Sequence, residues 1–108
     1  TLNAYAYALA EQGKDLNKAN SLIKKAMGMF PEASTFQHTQ AWILFQQSNF
    51  KKALEWIEKA TSKGGSGIMF EHYGDILHAL GKSDEAVEKW TLSIQKGRKF
   101  DIDRKMIK

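Results

Sequence analysis

Ala19, Ala53 and Ala86 stand 34 and 33 residues apart, and each is followed seven residues later by a second small residue, Ala26, Ala60 or Ser93. Two further sets keep the same step upstream. Ala6, Ala41 and Gly74 are 35 and 33 apart, and so are Gly13, Ser48 and Gly81. The longer first interval is absorbed by Gly13-Lys14-Asp15-Leu16, one residue longer than Ser48-Asn49-Phe50. A period near 33 across a whole chain signals a repeat architecture. One such unit cannot bury its apolar face alone, so the units must stack.

The stretch 49–60 shows what a unit contains. Phe50, Ala53, Ile57 and Ala60 recur at three- to four-residue steps and share one helical face. Lys51, Lys52, Glu55 and Lys59 lie off that stripe, and Glu55 precedes Lys59 by four, the favourable order for an ion pair. Alanine on a packing stripe lets a second helix backbone come close, so this helix has a partner in a fixed place.

Taken in order, residues 1–12 read as a helix with Leu2, Tyr5, Ala6 and Leu9 inward and Gly13 at its end. Asp15 or Asn17 caps a second helix, about 17–29, carrying Ala19, Ile23 and Ala26 and stopping before Pro31. Ser34-Thr35-Phe36-Gln37 has the form of a capping box and opens a third helix that runs to about Gln47. Asn49 caps the fourth. The Gly-rich stretch 63–67 reads as the loosest joint in the chain. A fifth helix, about 68–80, carries Phe70, Tyr73, Gly74 and Leu77. Ser83 caps the sixth, with Asp84 and Glu85 complementing its dipole and Ala86, Val87, Trp90 and Ile94 inward. Asp101 caps a short last helix with Ile102, Met106 and Ile107 on its apolar side. The expected fold is all-α: three helical hairpins plus a short C-terminal helix.

At 108 residues this is one domain's worth of chain. No apolar run approaches the roughly 20 residues of a membrane span. Without cysteine there are no disulfides and no thiolate metal ligands. The net charge of +4 sits in one place: from Lys96 to Lys108 there are six Lys/Arg and two Asp/Glu. The rest is balanced, which argues against a nucleic-acid footprint over the whole domain. There is no Ser/His/Asp set, no phosphate-binding Gly loop and no HExxH, so neither catalysis nor a cofactor is expected. His38 and His78 can approach across one face, but two histidines without a third ligand make no zinc site. His72 lies six residues before His78, on the other side of the helix.

A unit of this length, with a small residue in the first helix, Gly between helices, two alanines in the second and Pro at the end, resembles the tetratricopeptide repeat (TPR) family. The first unit supplies Ala6, Gly13, Ala19, Ala26 and Pro31. The second supplies Ala41, Ala53 and Ala60, with Ser48 for Gly and Gly65 for Pro. The third supplies Gly74, Gly81 and Ala86, with Ser93 for Ala and Arg98 for Pro. Gln37 and Gln40 depart from the pattern, standing where bulky apolar residues are usual. The resemblance implies a single domain, an α-α right-handed superhelix with repeats over 1–33, 34–66 and 67–99 and a capping helix over 100–108. It also implies that the first helices line a concave groove. The first helix starts at Thr1 without an N-terminal cap, which implies a longer parent chain with earlier repeats, or a second copy over that face.

Geometry selects the groove residues. The core stripe of the third helix is Gln37, Gln40, Ala41 and Leu44. One residue on, about 100° around the helix, lie His38, Trp42 and Phe45, with Gln46 beside them. The matching sets are Asn3, Tyr7, Ala10 and Glu11 in the first helix and Glu71, Asp75, His78 and Ala79 in the fifth. By the resemblance, this second face is the groove. Its aromatic and acidic content, with no Lys or Arg among these positions, points to an apolar, neutral-to-basic peptide or helix as partner. Two readings of Trp42 and Phe45 stay open: groove anchors, or wedges between neighbouring first helices. Glu71 and Asp75 also read as a solvated face.

The expected function is a non-catalytic protein-interaction scaffold. TPR domains that clamp acidic C-terminal tails use Lys, Asn and Arg. The matching positions here are Asn3, Tyr7, Thr39, Ile68 and His72, which does not fit. The alternative is a helical-repeat RNA-binding module using the basic C-terminal segment. A groove of carboxylates opposes it, because phosphate would be repelled. By resemblance the compartment is the cytoplasm, or the periplasm for a bacterial envelope protein.

Overall fold

The step between small residues becomes the step between helix pairs. The computed structural model describes residues 1–107, leaving Lys108 and the Ile107 side chain outside the described residues, so the placing of Ile107 on an apolar face lies outside them too. Seven helices form among the described residues: α1 (Leu2–Gln12), α2 (Leu16–Met29), α3 (Ser34–Gln46), α4 (Phe50–Thr61), α5 (Gly67–Ala79), α6 (Ser83–Gln95) and α7 (Ile102–Ile107). The pairs α1–α2, α3–α4 and α5–α6 pack most extensively. In addition α3 lies against α1 and α2, α5 against α4 and α3, and α7 against α6. This is the all-helical repeat fold that the period implies.

Three apolar clusters form, each completed by the unit that follows. Ala6, Ala19, Ile23 and Ala26 of the first hairpin are joined by Trp42 and Ile43 of α3. Ala41, Ala53, Ile57 and Ala60 are joined by Met69 and Ile76 of α5. Leu77, Ala86 and Trp90 are joined by Phe100 and Ile102, from α7 and the turn before it. The stacking requirement is therefore met at both internal joints and again at the C-terminal end. Each fully buried Ile contributes about 1.5–3 kcal/mol.

Side-chain volume is traded within each hairpin. Ile23 accompanies Ala6 and Ile57 accompanies Ala41, whereas at the same register Trp90 accompanies Gly74. A Cβ on Gly74 would overlap the Trp90 indole. That ring is held in place, because its Nε1 donates to Asp75 Oδ1 at 3.1 Å and to the Glu71 carbonyl at 3.2 Å. Gly74→Ala is therefore expected to destabilise by a net ~1–2 kcal/mol, overpacking of about 1–3 kcal/mol outweighing a helix-propensity gain of at most about 1 kcal/mol. Thermal melts check this; a higher Tm for the variant would contradict the close approach.

The turns repeat as the helices do. Gly13, Ser48 and Gly81 all adopt positive φ, at 65°, 61° and 80°. Ser48 bears the Cβ strain of that conformation, roughly 1–2 kcal/mol, which its two glycine counterparts avoid. The helix starts differ from expectation. Thr1 does cap α1, its Oγ1 accepting from the Ala4 N–H at 3.1 Å. Ala33, not Ser34, is the N-cap of α3, so Ser34 lies within the first turn and the capping box does not form; Gln37 Nε2 donates to the Pro31 carbonyl at 3.2 Å. Lys82 rather than Ser83 takes the N-cap of α6. Asp15 and Asn49 occupy N-cap positions without a side-chain bond. The Gly-rich joint is tied at its C-terminal end: Ser66 Oγ accepts from the Met69 N–H at 3.4 Å, and buried Ser93 Oγ donates to the Gly67 carbonyl at 2.6 Å.

Three residues expected on inward or apolar faces are exposed, Tyr5 at 47%, Ile94 at 40% and Met106 at 46%. Tyr5 holds the register at which Gln40 reaches back to Asn20 of α2, through Nε2 to Oδ1 at 3.3 Å. On α1 that face meets the Lys18 ammonium, 5.1 Å from the Tyr5 ring centroid. Lys59 does not pair with Glu55; its ammonium lies 4.6 Å from the Trp56 ring centroid.

Candidate functional site

The face one residue off the packing stripe joins α1, α3 and α5. Of the residues singled out on it, His38 and Trp42 are buried. Asn3, Tyr7, Phe45, Gln46, Glu71, Asp75 and His78 are half-buried, and Glu11 is exposed. The interaxial packing of the three first helices brings the rings together. Trp42 lies parallel to His72 with centroids 3.5 Å apart and parallel to Phe45 at 4.6 Å. Tyr7 approaches His38 at 5.6 Å and His72 at 6.3 Å. Trp42 is thus the middle layer of a stack that ties the second hairpin to the third, and it belongs to the core.

The histidine pair is not the one the helical wheel suggests. His38 Nε2 and His72 Nδ1 are hydrogen-bonded at 2.8 Å in the interior, so one ring donates and the other accepts. His72 was missed as a partner because it sits at the register facing the preceding unit, where Thr39 is equally buried 33 residues earlier. Burial lowers the His38 pKa to about 4. Burial likewise holds His72 well below its usual value, assisted by His38, Lys105 and Arg98. Glu11 Oε1 lies 4.0 Å from His72 Nε2, too long for a hydrogen bond, and its side chain is half exposed, so burial wins.

The carboxylates of α5 are not a solvated face, and this face does contain cations. Arg98 reaches Glu71 Oε1 through Nη2 at 2.6 Å and Nε at 2.9 Å. Lys105 Nζ bridges Glu71 Oε2 at 3.0 Å and Asp75 Oδ1 at 2.8 Å. Burial alone would raise the Glu71 pKa, but the bonds from Arg98 and Lys105 hold it below the ordinary value. Burial dominates at Asp75 and keeps its pKa raised despite Lys105. Neither cation was legible on the stripes, because both lie beyond α6. Lys105 is positioned by α7, where Asp101 Oδ1 accepts from the Arg104 N–H at 3.3 Å and Phe100 and Ile102 pack beside Trp90. Two cations of the basic C-terminal segment are therefore directed into the fold.

Between α3, α5 and α7 this face holds a pocket of about 270 Å³ lined by Phe45, Asp75, His78, Ala79, Trp90 and Lys105. It has room for one or two side chains. No cluster of three or more His, Cys, Asp or Glu able to hold a metal occurs among the described residues. None of the described helices is long and apolar enough to cross a membrane. What the arrangement offers chemically is a set of rings, one exposed carboxylate and a small recess. No curated protein matches the chain. The family model for the tetratricopeptide repeat-like domain matches residues 4–108, and the chain belongs to that family of helical-repeat interaction modules.

Proposed function

We propose that the α1/α3/α5 face receives an apolar, neutral-to-basic peptide or helix from a protein partner. The observation that carries this reading is the pocket lined by Phe45 and His78, on the face that also carries the half-buried Tyr7 and exposed Glu11. Half-buried rings around a recess are the usual anchors of a protein interface. The charge preference rests on Glu11, since Glu71 and Asp75 already face Arg98 and Lys105. Those same ion pairs weaken the RNA-binding alternative, because Arg98 and Lys105 already meet carboxylates.

The test compares partner capture by the wild-type chain with capture by Phe45→Ala and Glu11→Lys. Removing the ring is expected to cost at least about 2 kcal/mol of binding. Reversing the exposed charge is expected to weaken a basic partner without altering the circular dichroism spectrum. Partner affinity unchanged in both variants would overturn the assignment.

A further inference from the structure

The α3–α4 and α5–α6 hairpins share a register of 33 residues, and among the buried positions at which they differ one exchanges an aromatic ring for an amide. In α5–α6 that position is Phe70, 8% exposed, with the Lys96 ammonium 5.6 Å from its ring centroid. In α3–α4 it is Gln37, whose side chain turns aside to donate to the Pro31 carbonyl at 3.2 Å. The equivalent of Lys96 is present as Lys63, and Gly64 repeats the positive φ of Gly97, 103° against 100°. The site is thus built as in its sister hairpin, but without the ring. A cleft of about 940 Å³ remains, lined among others by Pro31, Gln37, Trp56, Ala60 and Lys63. That volume is within the range of ligand clefts.

The rim is charged. Glu32, Glu55 and Glu58 are all exposed and line the cleft. None has a cation within 4.0 Å among the described residues. Of the lining lysines, Lys59 lies over the Trp56 ring. The three carboxylates outnumber the two lysines, Lys59 and Lys63.

We propose that this cleft is a second docking site, taking an aromatic side chain flanked by a basic residue from a partner peptide. The ring occupies the place that Phe70 fills in the next hairpin, beneath Lys63 as Phe70 lies beneath Lys96. The basic neighbour meets Glu55 or Glu58 at the rim. The site shares no residue with the α1/α3/α5 pocket, so either can fail without the other.

The probes are acetyl-Lys-Phe-Lys-amide, acetyl-Lys-Ala-Lys-amide and acetyl-Glu-Phe-Glu-amide, titrated into the isotope-labelled chain and followed by NMR. The Phe peptide with flanking Lys is expected to shift the Gln37 side-chain amide and the Trp56 indole N–H. The other two peptides should bind at least tenfold more weakly. Gln37→Phe, which supplies the ring within the chain, is expected to raise Tm and abolish the Trp56 shift. Glu58→Gln, an exposed change that leaves the packing alone, should weaken the Lys-Phe-Lys peptide several-fold. Equal binding by the Glu-flanked peptide, or Gln37→Phe that folds and leaves binding unchanged, overturns the proposal. So do shifts confined to Tyr7, Phe45 and His78, which would place the peptide on the other face. Concentration-dependent self-association that Gln37→Phe abolishes would also overturn it, by naming a second copy as the occupant.

Discussion

Trp42→Ala is expected to destabilise the fold by about 3–5 kcal/mol, the cost typical of deleting a buried aromatic ring. The indole is only 8% exposed and lies between His72 and Phe45. Its removal opens a cavity where α1, α3 and α5 meet and uncovers the His38–His72 pair. In a stacked array, stability depends on contacts between neighbouring units, so loss at one joint is felt by the whole domain. At about 4–8 °C per kcal/mol for a domain near this size, Tm should fall by more than about 12 °C. Trp42→Phe separates the ring from its polar atom. The indole N–H is buried with no acceptor among the described residues, so phenylalanine removes an unsatisfied donor while keeping a ring on His72. Its cost should stay below about 1.5 kcal/mol. Circular dichroism melts of both variants decide the matter. An alanine variant that kept its Tm but lost partner binding would place the ring on an open surface instead.

The helices and their pairing were legible because close backbone approach needs small residues, and Ala6, Ala41, Gly74 and their partners recur in step. The places of the turns between paired helices were legible from the same step, Gly13, Ser48 and Gly81, but the left-handed backbone at Ser48 was not. Nor were the helix starts, because a cap depends on local geometry: Ala33 takes the N-cap of α3, and Gln37 bonds to the Pro31 carbonyl. The face one residue off the packing stripe runs over α1, α3 and α5, but its division into core and surface was not legible. With only three units, the first helices converge closely enough to bury its middle, Trp42 and His38, while Glu11 at its edge stays exposed. A helical wheel for one helix cannot show what a neighbouring helix covers. Arg98 and Lys105 escaped for another reason. They follow the last periodic helix, where no register predicts direction, and only their clustering with other cations was visible.

Acidification from pH 7.5 to 5.0 is expected to cost the fold about 2 kcal/mol through His38 alone, with His72 adding loss of the same sign. The native pKa of His38 is pushed down to about 4 from an ordinary 6.5. Below pH 6.5 the unfolded chain therefore takes up a proton that the folded chain refuses. Stability is full above about pH 6.5 and declines as pH falls toward 4. The groups facing the pair do not reverse this. Tyr7 titrates far above the window, Glu11 is half exposed, and Arg98 and Lys105 stay cationic and oppose protonation of His72. Glu71, with a lowered pKa, adds loss only as pH falls below the ordinary carboxylate value, whereas Asp75, with a raised pKa, takes up its proton above that value and so offsets part of the histidine loss as pH falls toward it. Urea midpoints at the two pH values measure the effect. Replacing both rings by apolar groups, His38→Leu with His72→Phe, removes the hydrogen-bonded pair together rather than orphaning one partner, so the variant should remain folded. Its midpoint should be nearly independent of pH across this window. A wild-type midpoint equally flat would mean that the pair accepts a proton in the folded state, with Glu11 drawing close enough to hold it.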